Sequence, residues 1–220
     1  MVLRLAESLD LSLRERNDLL LAAGYAPAYA ETAWTAPDLA AVRAAIAHIL
    51  AGHEPYPAVI VDRNGDIVAA NSGLALVAEG AAPDLVGIGR NAYRLALHPA
   101  GMAPRIINFT DWAQHVLSGT RHLPQLHAEL REYVPAVDPD DDYLGFAVPL
   151  RLRTSLGELH LMTTVTTFAT AIDVTLAELR LEAFLPADAA TGDALRNAQR
   201  VLSSSQAALA DGSGHGSGNW

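Results

Sequence analysis

The amino-acid sequence predicts an α+β fold: a five-stranded antiparallel sheet with helices packed over one face. Three observations predict it. A strand–turn–strand unit occupies residues 57–70, three stretches of period-two alternation come after residue 147, and the chain between them reads as helix. Strands at both ends of a helical middle favour antiparallel pairing with the helices segregated to one side. There is no internal repeat.

Leu3, Leu5 and Leu9 recur at near-helical spacing from the first residues, with no cap ahead of them. Asp10 or Ser12 then caps a second helix from Leu13 to about Ala23, with Leu13, Leu19, Leu20 and Ala23 as its stripe and Gly24 at its stop. Pro27 and small residues make a linker. Asp38 caps a third helix through Ile49, whose Leu39, Val42, Ile46 and Ile49 share a face, and Gly52 ends it. Pro57 to Asp62 reads as a buried strand and Asp66 to Ala70 as its return. Asn64-Gly65 between them reads as a hairpin turn in which both residues take positive φ. Asn71-Ser72 caps the next helix. From Leu74 to His127 the chain is mostly helical, punctuated by Pro83, Gly87, Gly89, Pro99, Gly101 and Pro104. Leu123 to Tyr133 is one more helix before an acidic loop, Asp138 to Asp142.

In the last third, apolar residues alternate with others in three runs: Val148, Leu150, Leu152; then Leu159, Leu161, Thr163, Val165; then Leu179, Leu181, Ala183, Leu185. Each marks a strand with one face on a core. Ser155 to Gly157 is the turn between the first two. A final helix spans about Thr191 to Leu202, and the Gly/Ser-rich end is expected to be disordered. The expected units are 1–25 (helical), 26–52 (linker and helix), 53–203 (main domain) and 204–220 (tail).

At 220 residues, 50% hydrophobic and 18% charged, the chain has material for one large domain. Fifteen Lys and Arg against twenty-five Asp and Glu leave a net charge of −10, which disfavours binding to nucleic acid by charge alone. Without cysteine there is no disulfide framework, thiolate zinc site or Cys nucleophile. No apolar run approaches the roughly 20 residues that span a bilayer. The first residues carry charge where a signal peptide needs an apolar core. A cytoplasmic location without membrane contact is the expectation.

Several motifs lead to no chemistry. Gly87-Ile88-Gly89-Arg90-Asn91-Ala92 matches the dinucleotide pattern G-x-G-x-x-A, but no strand–helix–strand unit surrounds it and it reads as a loop. Asp138, Asp140 and Asp142 have calcium-loop spacing, yet Tyr143 stands where glycine is required and Pro149 where glutamate is. His48/His53 and His122/His127 are five apart, not the four of a zinc helix. No serine sits in a G-x-S-x-G elbow. The expectation is a protein that is not an enzyme and uses no cofactor or metal.

The middle segment is more informative. Arg94 and His98 are four apart and share a helix face, with Arg105, Asn108, Phe109 and Trp112 after them. Two arginines, an imidazole and an amide among many apolar residues suit the head group of an otherwise apolar ligand. The competing reading has Arg94 and Arg105 pairing with carboxylates while His98 and Asn108 satisfy loop backbone.

Several phrases together resemble a family of bacterial regulators in which an Xre-type helix-turn-helix precedes an MmyB-like ligand-binding domain. RLAESLDLSLRERNDLLLAAGYAPAY (residues 4–29) resembles the junction. His53-Glu54-Pro55-Tyr56-Pro57-Ala58 through Val61-Asp62 and Ala69-Ala70-Asn71 resemble the start of the ligand domain. So do RLALHP (94–99), APRIINF (103–109) and VTTFATAIDVTLAELRLEAFLPAD (165–188). The resemblance reaches from Arg4 to about Arg200. It implies a PAS-like fold, a homodimer, and a transcription regulator whose ligand domain senses a small molecule of the fatty-acid class.

The carboxylate of such a ligand would then sit on Arg94, His98 or Arg105, with Asn108, Phe109, Trp112, Tyr93, Leu97, Leu161 and Thr163 completing the binding set. The family implies that residues 1–25 are the closing helices of a DNA-binding domain. Its recognition helix is absent from this sequence, so DNA would be bound only through a helix-turn-helix that is incomplete here. Residues 1–25 carry three Arg against four acidic residues, which is no basic footprint. Relatives carry tryptophan after the strand aspartate and in an Asn-Trp phrase. This chain has Asn64-Gly65 and Asn108-Phe109 instead, with Trp112 displaced, so a different pocket shape is expected. A module that only dimerises or binds a partner is the alternative; a cavity of roughly 300 Å³ or more would favour the sensor and a solid core the module.

Overall fold

The computed structural model describes residues 1–135, 148–168 and 170–212; the acidic loop at Asp138 to Asp142 lies outside the described residues. Helices α1 (Val2–Ser8) and α2 (Leu13–Ala22) open the chain. Ser12 caps α2 in a full capping box with Glu15. The Asn17 side chain then receives Ala28 N–H and Tyr29 N–H and donates to the Tyr29 carbonyl, folding the linker back along α2. Helix α3 (Ala40–Gly52) begins without the expected Asp38 cap: a single 3-10 turn, Pro37–Leu39, precedes it, with proline preset for the first helical position.

Strands β1 (Ala58–Val61) and β2 (Ile67–Ala70) form the expected hairpin with a different turn. Gly65 takes positive φ (+83°) and Asn64 does not. Asp62 explains the difference. Its carbonyl accepts from Gly65 N–H, and its side chain accepts from Asn64 N–H and Asp66 N–H, so one left-handed residue is enough to close the turn. The next helix is likewise uncapped by a side chain. Asn71 instead accepts from Ala58 N–H and Gly73 N–H and donates to the Tyr56 carbonyl, stapling both ends of the hairpin together.

The middle of the chain is four helices joined by loops and single turns: α4 (Leu74–Val77), α5 (Ala92–Leu97), α6 (Phe109–Gly119) and α7 (Pro124–Tyr133). Then come β3 (Leu150–Thr154), β4 (Gly157–Thr167), α8 (Val174–Ala177), β5 (Arg180–Pro186) and α9 (Ala189–Gly212). Helix α9 runs past the expected end near Leu202, through Gln206-Ala207-Ala208-Leu209-Ala210, a stretch of strong helix formers.

All five strands pair antiparallel in the order β2-β1-β5-β4-β3. This is the α+β, PAS-like sheet that the resemblance implies, with α4 to α7 over one face. On that face Val59, Val61, Ile67, Leu150, Leu152, Leu159 and Leu161 pack against Leu95, Leu97, Trp112, Val116 and Leu130. The other face of the central strands is covered too. Ala58, Ile60, Leu179, Leu181 and Ala183 pack there against Ile46 and Leu50 of α3.

That second cluster changes the meaning of the alternation in β5. Its apolar set, Leu179, Leu181 and Ala183, faces α3, so Arg180, Glu182 and Phe184 face the helices α4 to α7. β5 is the middle strand, and with its apolar set packed on α3 its second set, partly exposed, is left to face the helices.

Candidate functional site

Between the sheet and helices α4 to α6 the structure leaves a cavity of about 230 Å³. The sheet contributes Val59, Ile67, Thr163, Val165, Arg180, Glu182 and Phe184; the helices contribute Leu74 and Val77, Tyr93 and Leu95, and Trp112, His115 and Val116. It is smaller than the roughly 300 Å³ typical of a small-molecule pocket, yet it is no solid core. At roughly 30 Å³ per water-sized group it accommodates about eight such groups. The wall is open where Val165 is 57% exposed.

The glycine-rich segment at 87–91 serves this architecture. Gly87 and Gly89 both adopt positive φ, and the loop they form runs along the edge of β2. Ile67 N–H donates to the Arg90 carbonyl, and Gly89 N–H donates to the Ile67 carbonyl. Buried Asn91 is next, donating to the Asn64 carbonyl and to Asp66 Oδ1, while its own Oδ1 accepts from Arg94 N–H and caps α5. The cap fixes the start of α5 over β2 and so sets Tyr93 against the cavity. The Tyr93 ring lies directly over Gly65, where a Cβ would overlap it.

Of the ten binding residues expected from sequence, three line the cavity: Tyr93, Trp112 and Thr163. Tyr93 is buried, and burial pushes its hydroxyl pKa up. Trp112 is 4% exposed and its Nε1–H has no hydrogen-bond partner; the buried Thr163 hydroxyl has none either. Beside Trp112, with ring centroids 5.3 Å apart, stands His115, whose pKa burial lowers.

The other seven lie elsewhere. Arg94 donates from Nε and Nη2 to the two oxygens of Glu129, each at 2.7 Å, tying α5 to α7. His98 stands at the end of α5; its Nδ1 accepts from Ala100 N–H and its ring meets Tyr133 edge-on at 4.8 Å. Arg105 donates to the carbonyls of Val77 and Arg153. Asn108 donates to the Pro149 carbonyl at 2.8 Å and accepts from Arg151 N–H at 3.0 Å, fastening the start of α6 to β3. Phe109 packs at the edge of the main core, and Leu97 and Leu161 are fully buried within it. For Arg94, His98 and Asn108 the structure therefore matches the competing reading: carboxylate and backbone partners are already in place.

Most of the cavity residues escaped sequence reasoning, and among them Arg180 and Glu182 carry charge-bearing groups. As alternate residues of a strand with apolar neighbours they read as a solvent face. Their cross-strand partners are Val61 and Thr167 for Arg180, and Val59 and Val165 for Glu182. Burial among such neighbours raises the Glu182 pKa, and nearby Arg180 offsets part of that rise. The signal that would have found them is the apolar run Leu179-x-Leu181-x-Ala183 on the opposite face, once α3 is recognised as its cover.

The N-terminal helices dock at the entry to the same strand. Arg14 of α2 donates to both oxygens of Glu178, two residues before Arg180, at 2.7 and 2.9 Å, and also pairs with Glu31. Thr32 N–H and the α8 start share Asp173, whose side chain caps α8.

Among the described residues no helix is long and apolar enough to cross a membrane, and no group of three or more His, Asp or Glu could hold a metal ion. The fold is similar to the PAS domain of the Cronobacter turicensis RpfR quorum-sensing receptor, solved in complex with BDSF (16% identity, 60% of this chain and 94% of that one, TM-score 0.29) and with C12:0 (18%, 60% and 94%, 0.29). It is also similar to a Rhodobacter sphaeroides LOV protein (13%, 71% and 73%, 0.32). No curated protein shows significant similarity to the chain. The model of the MmyB-like transcription regulator ligand binding domain matches residues 42–198, with residues 1–41 outside it. A match over that much of the sheet, helices and cavity makes this chain a member of the MmyB-like transcription regulator ligand binding domain family.

Proposed function

We propose that the chain is the small-molecule sensor of a bacterial transcription regulator, and that its cavity takes an apolar acid of the fatty-acid class. The observation that carries this reading is the cavity itself, walled by aliphatic and aromatic side chains with a single arginine among them. Arg180 is the group suited to a carboxylate: its guanidinium makes no ion pair among the described residues, whereas Arg94, one of the cations expected from sequence, is already held by Glu129. The volume suits about eight methylene-sized groups inside, with longer chains extending through the open side at Val165.

The role is binding, in the cytoplasm and without membrane contact. Ligand stabilises one packing of helices and sheet, and the bias passes from β5 to the adjoining Arg14–Glu178 pair and the N-terminal helices. In the regulator those helices would lead to the DNA-binding head, and a homodimer would space two such heads. At about 230 Å³ the cavity lies between the two outcomes set for it, below roughly 300 Å³ yet no solid core, and membership of a ligand-binding family favours a sensor over a module that only binds a partner.

Titration of saturated C8 to C18 fatty acids, monitored by calorimetry and by Trp112 fluorescence, tests the reading. Saturable one-to-one binding is expected, with a change in emission because Trp112 lines the cavity. Ligand at about 100 times its Kd should add about 2.7 kcal/mol of stability. Absence of saturable binding by every chain length would overturn the sensor reading.

A further inference from the structure

The polar groups of the cavity are arranged in rungs. On β5, Arg180 and Glu182 are alternate residues of one face, so their backbones are about 7 Å apart. Glu182 pairs in register with Val165 of β4, which places Thr163 on the next rung, diagonal to Glu182 on the same face. The order along the strands is therefore cation, carboxyl, hydroxyl. Thr163 Oγ1 is buried without a hydrogen-bond partner, and so is Trp112 Nε1 on the opposite wall. Buried polar groups in folded proteins nearly always have partners. Burial holds the Glu182 carboxyl toward its protonated form, in which it both donates and accepts.

A plain alkyl chain anchored at Arg180 runs past Glu182 and Thr163 and leaves the Thr163 hydroxyl and the Trp112 N–H unpaired. We infer that the ligand is a carboxylic acid carrying a hydroxyl group on the chain near its head, with Arg180 on the carboxylate and Glu182 and Thr163 on the hydroxyl. This rests on the sensor reading above and names its ligand class more narrowly. A site whose buried polar groups match a substrate hydroxyl discriminates against the analogue lacking it, because the analogue strands those groups.

The test compares decanoate with 3-hydroxydecanoate on the whole chain by calorimetry, with 1-decanol as the neutral control. The hydroxy acid is expected to bind about tenfold tighter than decanoate, the equivalent of one good hydrogen bond. Thr163→Val, which keeps the side-chain shape, and Glu182→Leu should each shrink that ratio severalfold. Arg180→Met should weaken both acids and spare 1-decanol. Equal affinity for the two acids, or tighter decanoate, overturns the inference and leaves the sensor reading standing. A preference that survives both the Thr163 and Glu182 variants overturns the assignment of these residues. Failure of all three compounds to bind overturns the inference and counts against the sensor reading as well.

Discussion

Gly65 is the residue on which hairpin and cavity meet. Its φ of +83° closes the β1–β2 turn, and the Tyr93 ring fills the space a side chain would need. Both demands exclude a Cβ. Gly65→Ala carries the left-handed penalty of about 1–2 kcal/mol and must also push Tyr93 inward. A loss of at least about 2 kcal/mol in urea denaturation is expected, together with weaker fatty-acid binding as the displaced ring narrows the cavity. Wild-type stability would show that neither the turn geometry nor the ring contact matters. The same residue shows what single positions reveal to a reader of sequence. Asn64-Gly65 announces a hairpin, but that Asp62 would replace one of the two positive φ values depends on side-chain hydrogen bonds that propensity does not encode.

Helices α5 and α7 are joined by Arg94, Glu129 and Tyr133. The guanidinium grips both carboxylate oxygens at 2.7 Å, and the Tyr133 hydroxyl donates to the same group at 2.8 Å. These hydrogen bonds, that from Arg94 first, hold the Glu129 pKa down to about 2. A depressed carboxylate contributes stability that is complete above its unfolded value of about 4.3 and fades as pH falls through about 2. The pair is partly exposed, Arg94 by 42% and Glu129 by 33%, so solvent screening limits its worth to about 1 kcal/mol or less. Glu129→Gln is expected to lower stability by up to that amount at pH 7 and to match wild type near pH 2. Chemical denaturation across that range checks it, and a difference constant with pH would place the effect elsewhere. Arg94 was conspicuous in the sequence as a cation beside His98 on one helix face. The carboxylate that claims it is 35 positions away, beyond the reach of any local pattern.

Taken whole, the molecule is a sheet with two cores, and its centre strands belong to both. Ile46 lies in the smaller core, 3% exposed among Leu50, Ile60, Leu179 and Leu181. Ile46→Ala should cost about 2–4 kcal/mol by the methyl groups removed and the void left. The loss should appear as one cooperative transition, with fatty-acid affinity unchanged below it, because the cavity is on the opposite face of the sheet. A selective loss of binding without a loss of stability would contradict this division of the two faces.

Most of the secondary structure was legible in the sequence: the hairpin at 58–70, the three late strands, the Ser12 cap of α2 and the helical middle all carry local signals of period, cap or turn. The phrases shared with the MmyB-like family carried the fold as well. Of the residues that line the cavity, Tyr93, Trp112 and Thr163 were among those expected from the sequence and Arg180 and Glu182 were not. Hydrophobic period gives the spacing of a strand's two faces and not what covers each of them. In β5 that depends on strand order, which puts it between β1 and β4, and on α3 folding back over Leu181 and Ala183. Element types are set by neighbours along the chain, whereas the assignment of a charged face to the interior is set by contacts between distant segments. Propensity, pattern and composition thus set the parts, and the packing of β5 on both sides turned Arg180 and Glu182 into the polar wall of the cavity.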